Sequence, residues 1–299
     1  QDISIAMDDG VLLGATVTFP SVDGKTPAPG KFPVVLSMTP YGRKGLSSAP
    51  DQPTFATRGM IGAVVDVRGT GGSEGNLDGN YFSPRESRDG YELVEYFGTQ
   101  PYSSGKVGMA GGSYVGITQL LAAEQQPPHL SVITPQVALA DLYRDADAHG
   151  GTPNRSFDAQ YLVVQGGPGL VTPNTSPSQL QMTVLAKLEQ ITETPIAFDY
   201  LANPDDDLFY QQRSPIYNAS KIQVPVLLMD GWRDGFVRGA IENYQALALR
   251  QGVETRLYLD PCTHKGCGAP FAPLTDPPGL DDETAVVFEF LSKYLLATP

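Results

Sequence analysis

Short, unbroken apolar runs alternate along this chain with amphipathic stretches, and the two periods together predict a layered α/β fold. Pro33–Met38, Ile61–Asp66, Lys106–Ala110, Leu130–Thr134, Val224–Met229 and Thr255–Leu259 are too short for helices. Continuously apolar runs of that length suit strands buried on both faces of a parallel sheet. Between them, Glu86–Phe97, Ile117–Ala123, Arg238–Arg250 and Asp282–Leu296 read as helices. In the last two, Ile241, Tyr244 and Leu247, then Val286, Val287, Phe290, Leu291 and Tyr294, recur at helical spacing. Gly252 stops the first of these. At the N-terminus, residues 3–7 and 11–19 are β-rich and meet at Asp8-Asp9-Gly10, a hairpin turn. Strands alternating with helices predict a doubly wound, mostly parallel sheet.

The alternation fails over residues 140–221. Pro, Gly and Asn cluster there around short helical pieces such as Leu180–Ile191, which predicts an inserted, mainly helical cap. The expected organisation is core (1–139), cap (140–221) and core again (222–299).

Composition narrows the function classes. The 299 residues carry a formal net charge of -13 and no basic cluster that could track a phosphate backbone, which argues against a nucleic-acid partner. No stretch has the apolar length of a membrane span, so none is expected. The loop Val67–Gly75 is Gly-rich and follows a strand. It lacks the Gly-Lys-Ser/Thr ending of a phosphate-binding loop, and no cofactor is implied. Cys262 and Cys267 have only His264 as a further soft ligand nearby, too few for zinc, so no metal is expected. They are either a local disulfide or two free thiols. The sequence opens at Gln1 without a leader, through signal-peptide removal or truncation. A disulfide would fit export, so a secreted or periplasmic protein is expected, with the cytoplasm as the alternative.

The chemistry concentrates at three strand ends. Gly111-Gly112-Ser113-Tyr114-Val115-Gly116 lies between a strand and a helix, the setting of a nucleophile elbow. Small residues let the backbone turn sharply there. Taken alone, the stretch is equally an ordinary Gly-rich turn. Asp234 and His264 follow the next-to-last and last strands, giving the order Ser, Asp, His of α/β-hydrolases. Serine needs an imidazole to take its proton, and the imidazole needs a carboxylate to fix its tautomer. Of the three histidines, His129 precedes a strand and His149 lies in the insertion, so His264 is the candidate base. Asp230 competes with Asp234 because both follow one strand.

These residues carry a resemblance. Pro40-Tyr41, Asp66–Gly75, Asp89–Glu95, Gln100–Met109, Gly111–Gly116, Ala140–Arg144, Arg213–Pro215 and Gly231–Phe236 resemble, in order, motifs of the cocaine esterase / X-Pro dipeptidyl-peptidase (peptidase S15-like) family of α/β-hydrolases. That family includes α-amino-acid ester hydrolases. The resemblance implies Ser113 as nucleophile, Asp234 as orienting acid and His264 as base. It further implies an oxyanion hole from the Tyr41 hydroxyl and the Tyr114 N–H, and a structural role for the Arg68-Gly69-Thr70-Gly71 loop. Tyr102 stands where the family usually has Trp. Relatives carry a C-terminal β jelly-roll, which these 299 residues are expected not to include.

The expected function is hydrolysis of carboxylic esters, on a small-molecule ester or amide, with Trp232, Phe236, Tyr143 and His149 as candidate substrate contacts. An X-Pro aminopeptidase or α-amino-acid ester hydrolase is the alternative. It needs an acidic anchor for an ammonium group, which Asp145 or Asp147 could supply. A catalytically silent binding module is the third reading. The sequence leaves the oligomeric state open.

Overall fold

The apolar runs do form the predicted sheet. The computed structural model describes residues 1–44, 52–76, 81–154, 202–264 and 283–296. The hairpin is β1 (Asp2–Ala6) and β2 (Leu12–Thr18), antiparallel, with Gly10 at φ 85° in the turn. The buried runs give β3 (Phe32–Thr39), β4 (Ile61–Asp66), β5 (Ser103–Gly112) and β6 (Leu130–Gln136). After a two-residue pair, β7 (Ala148–His149) with β8 (Thr152–Pro153), come β9 (Val226–Gly231) and β10 (Thr255–Asp260). The helices are α1 (Gln52–Ala56), α2 (Pro84–Thr99), α3 (Tyr114–Ala123), α4 (Val237–Ala248) and α5 (Glu283–Leu295).

Two elements differ from expectation for local reasons. Helix α1 has five residues, too few to show a period. Strand β5 runs on through Gly111 and Gly112, which stay in the ladder opposite Pro135 and Gln136. Their glycine content reads as a turn, but the pairing of β5 with β6 holds them extended.

The eight-stranded order is β1-β2-β4-β3-β5-β6-β9-β10, parallel from β4 to β10. Side chains alternate across each strand. Val34, Leu36 and Met38 of β3 enter one apolar cluster while Val35 enters the other. In β9, Val226 and Leu228 likewise oppose Leu227 and Met229. The first cluster takes α2, α3 and Leu247 of α4; the second takes Phe55 of α1 and most of α5. Each fully buried Leu, Val or Phe contributes about 1.5–3 kcal/mol, so both layers are held by burial. Every residue of α3 is buried, consistent with a helix apolar all round. Gly90 lets α2 close on α3, since a Cβ there would stand 2.7 Å from that of Ala122.

From β3 the chain winds first to β4 on one side and then to β5 on the other. The crevice between β3 and β5 is therefore the topological switch point, where such sheets bind ligands beyond their carboxyl ends.

Within 140–221, the described segments are a π-helical turn (Tyr143–Asp147), the β7–β8 pair, a short helix (Leu208–Gln211) and a 3-10 turn (Pro215–Lys221). They add no strand to the main sheet. The Leu180–Ile191 piece lies outside the described residues. No described helix is long and apolar enough to cross a membrane.

The loop after β4 is tied to α2 by a buried ion pair. Arg68 is 3 % exposed and donates from Nε and Nη2 to the two oxygens of Asp89, at 2.5 and 2.7 Å. Arg85 donates to Asp89 as well, at 2.8 and 3.0 Å. Without Asp89, the buried Arg68 guanidinium keeps only Asp9, at 3.1 Å from Nη2. Asp89→Ala is therefore expected to lower unfolding free energy by about 3–5 kcal/mol in urea denaturation.

Candidate active site

Ser113 sits between β5 and α3 with φ 60° and ψ -126°, a conformation L-residues resist. Its N–H donates to the carbonyl of Gln136 at 2.9 Å, tying the turn to the end of β6. Gly116 makes the approach possible, because a Cβ there would meet the Gln136 oxygen at 2.5 Å. The serine hydroxyl thus stands at the N-terminus of α3, where the helix dipole favours negative charge.

The loops after β9 and β10 meet by backbone contact. Trp232 N–H donates to Asp260 O (2.8 Å), Arg233 N–H to Cys262 O (2.9 Å), and Asp234 N–H back to Gly231 O (2.9 Å). Only glycine fits at 231, since a Cβ would lie 2.4 Å from the Cys262 oxygen. This fold-over brings Asp234 and His264 together. His264 Nδ1–H donates to Asp234 Oδ2 at 2.7 Å, and Ser113 Oγ–H to His264 Nε2 at 2.8 Å. Asp234 Oδ1 accepts the Phe236 N–H at 2.7 Å. Both oxygens of this buried carboxyl therefore take donors, which suits a carboxylate. The Phe236 ring stands edge-on to the imidazole, centroids 5.3 Å apart.

Asp230, the other sequence candidate, is not bonded to His264. It is buried at the end of β9, where Oδ1 accepts the Gly231 N–H at 2.7 Å and Oδ2 has no donor among the described residues. Burial first, then the Asp234 charge, raises its pKa to about 8.

Tyr41 follows β3 and Tyr114 opens α3, which places them on the two sides of the switch point. Their rings lie 6.3 Å apart in edge contact. Tyr114 also packs on Tyr81 and Phe82, and its hydroxyl donates to Glu86 Oε2 at 2.7 Å. Glu86 escaped the sequence reading, although Ser83-x-x-Glu86 is the capping signature of α2. Ser83 Oγ accepts the Glu86 N–H, and Glu86 reaches back to the Phe82 N–H at 3.0 Å. Its burial, opposed by the bonds from Tyr114 and Phe82, pushes its pKa up to about 7.

A cavity of about 620 Å³ opens beside Gly235; Ser113, Asp234 and His264 are not among its lining residues. Tyr143 and His149 line it with Arg144, Asp145, Asp206 and Arg238. Phe236 and Trp232 are placed differently: the first packs behind His264, and the second stands 59 % exposed. Asp145 and Asp147, the candidate ammonium anchors, are buried. Asp145 takes the N–H groups of Ala140 and Asp141 on one oxygen and Arg238 on the other, while Asp147 accepts the Tyr210 hydroxyl at 2.7 Å. Each is an acid that internal bonds consume. His129 is bonded to Glu95 at 2.9 Å, away from Ser113.

Cys262 is disulfide-bonded, and Cys267 lies outside the described residues. Asp260, Cys262 and Glu283 bring ligand atoms within 4.8 Å of one another. A disulfide sulfur is not a thiolate, so this trio lacks the donor a metal would need.

A model of the X-Pro dipeptidyl-peptidase (S15) family matches residues 9–266. The cocaine esterase of Rhodococcus sp. (strain MB1 Bresler) is 27% identical over 294 residues, covering 88% of this chain and 48% of that protein. Among solved structures, a CocE/NonD family hydrolase from Staphylococcus aureus superposes with TM-score 0.74 at 24% identity, over 100% of this chain and 50% of the other. An α-amino acid ester hydrolase gives TM-score 0.69 at 22% identity, over 99% and 54%. Both share the α/β-hydrolase fold. The chain spans about half the length of these relatives.

Glu86 makes stability depend on pH. Its pKa is raised in the fold, so between the ordinary carboxylate range and about pH 7 the native state holds a proton that the unfolded chain has released. Stability contributed by that proton is complete at acid pH and is lost as pH rises through 7. In Glu86→Gln the loss is expected to shrink by on the order of 3 kcal/mol between pH 4.5 and 8, read from urea midpoints at each pH.

Proposed function

Since the chain belongs to the X-Pro dipeptidyl-peptidase (S15) family, we propose that it is a hydrolase that cleaves carboxylic esters through an acyl-enzyme on Ser113. The observation that carries this reading is the bonded series Ser113–His264–Asp234 at the switch point of the sheet. Ser113 Oγ attacks the ester carbonyl as His264 Nε2 takes its proton. Asp234 holds the imidazole by Nδ1 and stabilises the imidazolium. The oxyanion is received by the Tyr41 hydroxyl and by the backbone N–H of Tyr114, the residue that follows Ser113 and opens α3. His264 passes its proton to the leaving alkoxide. Water then attacks the acyl-serine, giving its proton to His264, and the proton returns to Ser113 as the carboxylic acid departs.

The cavity at Gly235 is of the size that takes small molecules, and its Tyr143 and His149 are the proposed substrate contacts. The disulfide at Cys262 supports an exported protein. The family match also favours a second reading, cleavage of α-amino esters or X-Pro amides. Asp145 and Asp147 are committed to internal bonds. Asp206 remains on the cavity wall, 3.4 Å from Arg144 and from the Tyr217 hydroxyl, as a candidate ammonium anchor.

Ser113→Ala is expected to lower kcat on an aryl ester about 10³-fold or more, and Tyr41→Phe about 10²-fold with KM little changed. Parallel assays on an aryl ester, an α-amino ester and an X-Pro amide separate the two readings. A requirement for the free amine would overturn the first. A fluorophosphonate that leaves Ser113 unlabelled in the folded protein would overturn both.

A further inference from the structure

Three carboxyl groups crowd the ends of β9 and β10 behind the imidazole: Asp230, Asp234 and Asp260. Their partners divide the labour. Asp234 receives an N–H on each oxygen, from Phe236 and His264. Asp260 receives the Cys262 N–H at 3.0 Å. Asp230 is 4 % exposed and receives one donor among the described residues, from Gly231, leaving Oδ2 buried and bare. The Asp234 N–H donates back to Gly231 O at 2.9 Å, which folds Asp234 over the end of β9 so that its carboxyl acts directly on Asp230. Two carboxylates cannot bond each other, but a carboxylic acid and a carboxylate can. A proton on Asp230 satisfies its bare oxygen and supplies a further donor to the carboxylate that orients His264.

We infer that Asp230 is a positioning residue: as a neutral acid it hydrogen-bonds Asp234 and holds that carboxylate against His264 Nδ1. This rests on the ester-hydrolase reading and extends it by one residue. The charged and titratable groups around Asp230 are Asp234 on its own loop, Asp260 on the adjoining β10, His264 through Asp234, and Glu283 of α5 beside Asp260. On β6, the neighbour on the other side, Gln136 pairs with Met229 and carries no charge. Burial and the acids around it raise the pKa of Asp230 to about 8. Above that pH the proton leaves, the donor to Asp234 is lost, and two adjacent carboxylates repel. The imidazole then loses the fixed carboxylate that orients it.

The test compares pH profiles of kcat/KM on an aryl ester for the 299-residue protein and for Asp230→Asn, whose amide keeps a donor at every pH. The native protein is expected to lose at least tenfold between pH 7 and 9.5 with a midpoint near 8. Asp230→Asn is expected to match it within about threefold at pH 7 and to stay flat over that range. In the native protein labelled with ¹³C at aspartate Cγ, NMR should show one aspartate titrating near pH 8, absent from the variant. Identical alkaline declines in both proteins, or aspartates that have all finished titrating by pH 6, would overturn the inference. Absence of ester hydrolysis at every pH, with the NMR titration present, would sink the ester reading and leave the carboxyl pair standing.

Discussion

Ser113 occupies a backbone conformation that costs energy, and the sheet exists in the form that holds it there. The strain of such a residue is on the order of 1–3 kcal/mol and persists only where its surroundings over-determine it. Here the constraint is the pairing of β5 with β6. Gly112 stays in register with Gln136, the Gln136 carbonyl takes the Ser113 N–H, and Gly116 lets α3 lie against the same carbonyl. The direction of the serine hydroxyl is thus set by a parallel ladder and two hydrogen-bonded layers. Val137, next along β6, carries its own positive φ of 42° with its N–H bonded to Met229, which passes the constraint on to β9. The strand that precedes Asp234 is aligned by the strand that fixes Ser113.

How far the sequence could be read follows from the range of the interactions involved. Strands such as Ile61–Asp66 were legible residue for residue, because burial on both faces imposes a continuous apolar run. That Ser113, Asp234 and His264 would lie close together was legible because each follows a strand at the same end of the sheet. What was not legible depends on contacts between distant segments. Nothing near Gly231 announces that the Cys262 carbonyl will lie against it, and nothing near Asp145 announces that Arg238 will claim its oxygen. Glu86 was within reach through its capping pattern, but its bond to Tyr114 joins residues 28 apart. Trp232 looked like a pocket residue from its place beside Asp234, yet the fold-over of that loop turns it outward.

Acidity in this chain has two faces. Most of its 33 carboxylates contribute to a net charge of -13. A few are buried where the charge is resisted: Glu86 beside Tyr114, Asp230 beside Asp234, and Glu124 at the end of α3, also raised to about 7 by burial. Glu86 accepts from the Tyr114 hydroxyl and the Phe82 N–H, and burial makes each of the three favour its neutral form, at the expense of stability as pH rises.

The hydrogen bond from Ser113 to His264 spans 151 residues, and His264 hangs from β10, the last described strand and an edge of the described sheet. Contacts of such sequence separation carry a high loop-closure cost. On the proposed chemistry the serine therefore has no base until β10 has docked, and reactivity on that reading would be a certificate of completed folding.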